Sequence, residues 1–330
     1  MQIFEGIERV PVGFGPCVVT IGNFDGVHRG HREVLEQVAS LARRDGLQSV
    51  AMTFDPHPAQ VHRPDHAPAA ICSLQERLSH IADAGVDATL VIHYTEDFAR
   101  QSPEQFVQSF LVNLLQMRTI VAGHDIRFGW GNEGNIDTLR ALGRSYGFDV
   151  VVIHDVGRGD TDSGVSGEPS RWSSSLIRRA LRQGDVTTAN RMLGRLHRMS
   201  GEVVHGDHRG RELGFPTANL STDSEGLVPA DGVYAGWLTV LDSDAIGQDE
   251  PARLPVAISV GTNPTFDGSE RRVECYVLDR DDLDLYGHHV RVEFVGFVRG
   301  QVAFESVTAL VEQMHADVTR VRTALAVGNA

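Results

Sequence analysis

Short apolar runs recur through the first half of the chain, and most of them lead directly into turn-forming residues. Residues 18–21 (VVTI), 49–54 (SVAMTF), 88–93 (ATLVIH), 119–122 (TIVA) and 149–154 (DVVVIH) have the length and β-branched content of buried strands. Between them the spacing shifts to the helical period. After Gly30, residues Val34, Leu35, Val38 and Leu41 fall on one face. Stretches 73–84 and 102–115 are also helical in pattern, the second opening on the start signal Ser-Pro-Glu. Strands alternating with helices predict a parallel, doubly wound α/β sheet. Residues 174–193 read as a further helical segment carrying Arg178, Arg179, Arg182 and Arg191.

Beyond Gly194 the pattern changes. Residues 203–204, 232–240, 254–260, 273–278 and 290–298 are strand-like, with turns and no long helix between them. They predict an antiparallel barrel. In VECYVLD (273–279), Val273, Cys275 and Val277 point one way and Glu274 and Tyr276 the other. The chain closes on a helical stripe, Phe304, Val307, Leu310, Val311, Met314 and Val318, expected to pack on the barrel. The boundary is expected near 184–200, giving domains 1–187 and 188–330. Segment 160–170 reads as a mobile loop and 242–253 as a surface excursion.

Composition narrows the function. With 330 residues, 41% hydrophobic and 22% charged, the chain suits two globular domains. No apolar run reaches membrane-span length and the N-terminus has no signal-peptide pattern, so a cytoplasmic protein without a membrane partner is expected. Cys17, Cys72 and Cys275 lack metal-ligand spacing and read as free thiols in a reducing compartment. A net charge of −14 argues against a nucleic-acid partner. All 30 basic residues are arginine, which excludes both the P-loop lysine and the strand lysine of protein kinases.

Four segments of the first half can carry chemistry: GNFDGVHRGH (22–31), FDPHP (54–58), GHDIRFGWGNEG (123–134) and SSSLIRRAL (173–181). Three begin where an apolar strand ends, so a parallel sheet gathers them at one crevice. His28 and His31, at i and i+3, share a helix face and, with backbone N–H groups, suit triphosphate oxygens. Each segment also has an ordinary reading: a polar helix face, part of a metal site, a capped surface helix. In the second half, GFPTAN places Thr217 and Asn219 on alternate residues beyond a proline-set turn, two hard oxygens suited to Mg²⁺. Glu274, alternating out of an apolar strand, has the chemistry of a general base, or simply faces water.

Taken in order, these strings resemble the bacterial bifunctional riboflavin kinase/FMN adenylyltransferase (FAD synthetase) family over nearly the whole chain. The resemblance implies an N-terminal Rossmann-like nucleotidyltransferase domain and a C-terminal β-barrel kinase domain with a closing helix. It implies ATP contacts at Gly22, Phe24, Asp25, Gly26 and Gly30, with His28, His31 and Arg178 catalytic and Ser173, Ser174 and Ser175 holding phosphate. Flavin contacts are implied at Asp55, Pro56, His57, Pro58, Asp125, Arg127 and Phe128. In the barrel it implies ATP at Gly214 and Pro216, Mg²⁺ at Thr217 and Asn219, and Glu274 as the base that activates the ribityl hydroxyl. Riboflavin and ATP would then give FMN and ADP, and FMN and ATP would give FAD and pyrophosphate, without a protein nucleophile. Ser175, Ile126, Asn132, Trp172, Leu196–His197, Arg280 and Gly300–Gln301 depart from the usual family residues. The rival readings are an enzyme with one decayed module and a flavin-binding protein without turnover.

Overall fold

In chain order the first half forms β1 (Gln2–Glu5), β2 (Cys17–Ile21), α1 (Arg29–Asp45), β3 (Gln48–Asp55), α2 (Pro58–His62), α3 (Leu74–Asp83), β4 (Ala88–His93), α4 (Glu96–Ala99), α5 (Pro103–Phe106), β5 (Met117–Gly123), α6 (Ile136–Tyr146) and β6 (Asp149–Ile153). The computed structural model describes residues 1–153, 172–206, 213–242, 253–262 and 271–327. Its strands pair in the order β1-β4-β3-β2-β5-β6, and every described pairing in this sheet is parallel. Strands buried on both faces read as continuous apolar runs, as in β2, where Cys17, Val18 and Val19 are fully buried. On α1, Leu35, Val38, Ala39 and Ala42 turn to the sheet, and Gly46 ends the helix in the left-handed region at φ 67°.

Two features of this half differ from the sequence pattern. β1 was not foreseen: four residues with one buried side chain give no periodicity, and the strand exists because it pairs with β4 at the sheet edge. The expected 102–115 helix does begin at a Ser102 cap with Gln105 returning the bond. It then widens into a π-helix over Val107–Leu114, closed by Leu115 N–H donating to Phe110 O at 3.1 Å.

The second unit gathers Ser174–Ala330 together with Ala70–Cys72, and the first holds Met1–Ala69 and Ser73–Ser173. The 174–193 segment is two helices, α7 (Ser174–Arg182) and α8 (Val186–Leu193). Gly184, at φ 77°, breaks them, and Asp185 caps the second by accepting from Thr188 N–H at 2.9 Å. Then come β7 (His197–Val204), β8 (Thr217–Leu220), β9 (Gly232–Val240), β10 (Leu254–Thr262), β11 (Arg271–Val277) and β12 (His289–Arg299), closed as a barrel in the order β10-β11-β8-β7-β12-β9. Beyond the proline of GFPTAN, Thr217–Asn219 are part of strand β8 and pair with β11. α8 is tied to the barrel through Asn190, whose Nδ2 donates to Phe294 O at 2.8 Å while its Oδ1 accepts from His197 N–H at 2.6 Å.

The closing helix, Val307–Val327, lies on the barrel as expected, with Val318 of the expected stripe in contact and the packing continuing beyond it. Val318, Val321, Ala324 and Leu325 pack against Ala235, Trp237, Ala257 and Leu278, whereas Val307 is exposed. Segment 160–170 and residues 243–252 of the expected surface loop lie outside the described residues.

His197 is fully buried, with Nε2–H donating to Leu227 O at 2.7 Å. Burial pushes its pKa down to about 4. The folded ring therefore stays neutral where the unfolded one, near 6.5, takes a proton. Stability is then full above about pH 6.5 and declines as pH falls toward 4, by on the order of 3 kcal/mol. The His197→Tyr variant, whose hydroxyl can still donate but which takes up no proton, should flatten that slope in urea unfolding between pH 4 and 7. An unchanged slope would place the acid sensitivity elsewhere.

Candidate active sites

Three chemistry-bearing segments leave the sheet at the carboxyl ends of β3, β2 and β5, which are neighbours. From β2 the chain winds to β3 on one side, and β5 lies on the other. The winding direction therefore reverses beside β2, where open α/β sheets bind their ligands. The turn after β2 is strained, with Phe24 at φ 48° and the β-branched Val27 at φ 33°. Gly22 accommodates it, because an added Cβ would press on the Phe24 ring. Next, buried His28 caps α1, its Nδ1 accepting from His31 N–H at 3.3 Å. An accepting Nδ1 leaves the proton of the neutral ring on Nε2. The His28 and His31 rings stack at 3.7 Å, and the Phe24 edge meets His31 at 5.3 Å. Two imidazoles at the N-terminus of a 17-residue helix make a concentrated anion-binding end.

Beside this turn lies a cavity of about 220 Å³. Gly22 and Asn23 form one wall, Phe54 and Pro58 a second, and Arg127 and Phe128 a third, while Tyr94, Phe98 and Phe106 complete an aromatic lining. Tyr94 packs edge-on against Phe54 and shares a 2.9 Å hydrogen bond with His62 Nε2. Such a slot suits a flat, largely apolar ring system with a polar edge. Trp172, just before the serines, lies under the Arg29 guanidinium at 5.5 Å, which brings Trp172 and Ser173 near the start of α1.

The barrel carries its own constellation. In the β8–β11 ladder Asn219 pairs directly with Glu274, and Thr217 with Tyr276. Directly opposed residues share a face, so Thr217, Asn219 and Glu274 lie together, while Cys275 turns to the buried side. Thr217, Asn219, Gly206 and Pro216 line a cavity of about 380 Å³ together with His205 and Tyr286, whose ring centroids lie 3.9 Å apart with the planes tilted by 31°. Glu274 lines a second cavity, of about 310 Å³, with Asp231, Ser259, Arg272 and Gln301. Gly206 is required there, since a Cβ would overlap the Asn219 amide. Burial pushes the Cys17 thiol up to about 12 and raises that of Cys275, so neither is an activated thiolate near neutral pH.

Family models match both halves, FAD synthetase over residues 13–166 and riboflavin kinase over 193–325. The Escherichia coli (strain K12) bifunctional riboflavin kinase/FMN adenylyltransferase is 36% identical over 318 residues, 96% of each chain. The chain belongs to the bifunctional riboflavin kinase/FMN adenylyltransferase family. It carries both activities and so makes FAD from riboflavin. The Listeria monocytogenes member is 34% identical, covering 91% of this chain and 90% of its own. A Streptococcus pneumoniae crystal structure described as a macrolide-efflux protein shares the whole fold, with a TM-score of 0.82, 29% identity and 98% and 99% coverage. Among the described residues of this chain no helix is long and apolar enough to cross a membrane.

The residues expected from sequence divide between the two units. His28, His31, Gly22, Phe24, Asp25, Gly26 and Gly30 form the β2–α1 turn and helix start. Of the seven residues expected to hold flavin, Pro58, Arg127 and Phe128 line the aromatic cavity. Asp55, Pro56, His57 and Asp125 are not among its lining residues; His57 caps α2, and Asp125 is exposed. Arg178 is buried on α7, within the second unit, together with Ser174 and the exposed Ser175. Gly214 adopts φ 83° two residues before Pro216. Sequence reasoning missed Tyr94, Phe98 and Phe106, which come from separate segments. The faint signal was the i, i+4 spacing of Tyr94 and Phe98 just after a strand.

Proposed function

We propose that FMN occupies the aromatic cavity of the first unit and that ATP phosphates bind at His28 and His31. The FMN phosphate oxygen attacks the α-phosphorus of ATP, the bond to the β-phosphate oxygen breaks, and pyrophosphate leaves. The imidazoles hold charge that builds on the phosphates as that bond breaks. No residue becomes covalently attached. The segment after Trp172 (Ser173, Ser174, Ser175 and Arg178) enters this reading through the family resemblance.

In the second unit ATP occupies the cavity that Thr217 and Asn219 line, and riboflavin the one that Glu274 lines. The Glu274 carboxylate takes the proton of the ribityl hydroxyl as its oxygen attacks the γ-phosphorus, and ADP departs. What carries this assignment is that each unit has its own cavity beside its own motif residues, with Asn219 of one barrel cavity paired across the ladder with Glu274 of the other.

Thr217 and Asn219 offer hard oxygens to this cavity, the donor chemistry that Mg²⁺ takes. Bound with ATP, the ion would neutralise phosphate charge. Thr217→Val should therefore raise the Mg²⁺ concentration needed for half-maximal FMN formation about tenfold, the scale of one lost contact to a charged group. FAD formation from supplied FMN should not change. An unaltered Mg²⁺ dependence of FMN formation would remove Thr217 from the metal site. An enzyme that draws on ATP and whose cysteines are free thiols fits the cytosol.

A further inference from the structure

Arg77 on α3 is buried, its side chain only 8% exposed, yet it belongs to no motif singled out above. Its NH1 donates to Asn23 O at 2.9 Å, and its NH2 lies 3.5 Å from Asp55 Oδ1. Its Nε is buried with no hydrogen-bond partner among the described residues. A guanidinium held this way costs stability rather than adding it. The reason to keep it there lies in what it touches.

Asn23 opens the strained turn and Asp55 ends β3, so one side chain ties together the first two chemistry-bearing segments. Thr53 Oγ1 also donates to Asn23 O, at 3.2 Å. Backbone strain of this kind persists only where its surroundings over-determine it. Directly after Asn23 come Phe24 at φ 48°, with its ring edge on His31, and Val27 at φ 33°, which leads into His28. On its other side the same turn supplies Gly22 and Asn23 to the wall of the aromatic cavity. The turn is thus the partition between the aromatic cavity and the histidine pair. With FMN in that cavity and ATP at the histidines, as proposed above, its position would set the distance between the two reacting phosphates.

We propose that Arg77 is a positioning residue for adenylyl transfer, holding Asn23 so that the strained Phe24–Val27 turn keeps the aromatic cavity and the histidine pair in register. This rests on the reading of His28 and His31 as the phosphate-holding pair. Misplacement of reactants by about 1 Å can cost up to 10² in rate without abolishing binding, so the effect belongs in kcat rather than in KM.

The test measures FAD formation from supplied FMN and ATP by the full chain carrying Arg77→Met, Arg77→Lys or His31→Ala. FMN formation and melting temperature are followed on the same samples. Methionine keeps the packed stem, and Thr53 still serves the Asn23 carbonyl, so Arg77→Met should fold and make FMN normally. Its kcat for FAD should fall about tenfold while KM for ATP changes less than about threefold. Lysine, a point charge that can serve one partner and not both, should restore part of that loss. A merely structural Arg77 would lower the melting temperature and leave kcat per folded molecule unchanged, which overturns the proposal. Should Arg77→Met fail to fold, Arg77→Lys decides: reduced kcat with normal FMN formation supports positioning, and wild-type kcat overturns it. A His31→Ala variant with normal FAD formation would instead overturn the underlying reading of the histidines.

Discussion

His31→Ala should stop the enzyme at FMN. The imidazole stacks on His28 and receives the edge of Phe24, so it is held in place before any ligand arrives. A donor fixed in advance acts where phosphate charge develops, and its benefit falls mainly in the transition state. Removing it should lower the rate of FAD formation roughly 10²–10³-fold, the scale of one lost preorganised donor, with a smaller change in ATP affinity. FMN formation should persist, because it occurs in the other unit. If His31 served only to pack the turn, melting temperature would fall and the FAD rate per folded molecule would hold. If it held a metal, the wild type would carry a stoichiometric ion that the variant loses.

Glu274→Gln should do the reverse. The side chain stands opposite Asn219 in the β8–β11 ladder and opposite Ser259 in the β10–β11 ladder, on the face that turns away from the core. Glutamine fills almost the same volume there, so the fold should survive. A general base is worth typically 10²–10⁴ in rate, and FMN formation should fall by about 10² or more. Adenylation of supplied FMN should proceed as in the wild type. A near-normal kinase rate would make Glu274 an ordinary solvent-facing strand residue.

Both of these sites were legible in the sequence because their signals are local. An apolar run, a glycine-rich turn and a histidine pair at helical spacing lie within 14 residues of one another, and the structure makes them strand, strained turn and capped helix. The alternation around Glu274 likewise survives as buried Val273, Cys275 and Val277. What sequence did not disclose depends on partners distant along the chain. β8 is four residues that would be a turn in isolation and become strand by pairing with β11 and β7. β1 is set by β4, and the packing stripe of the closing helix by the barrel residues Ala235, Trp237, Ala257 and Leu278 that it covers. The aromatic wall combines Phe54, the Tyr94–Phe98 pair and Phe106 from three stretches of the chain. Arg77 was one arginine among 30, and only its two partners in space distinguish it.

The central claim is that two separate sites share the work, joined by FMN alone. Mixing equal amounts of the His31→Ala and Glu274→Gln proteins with riboflavin, ATP and Mg²⁺, and following FAD by chromatography, tests it most directly. Each protein alone should make little FAD. Together they should make it at a rate set by the slower of their two intact sites, since FMN released by the first is adenylated by the second. A mixture that accumulates no more FAD than the separate proteins would contradict the division of labour between the histidine turn and the barrel.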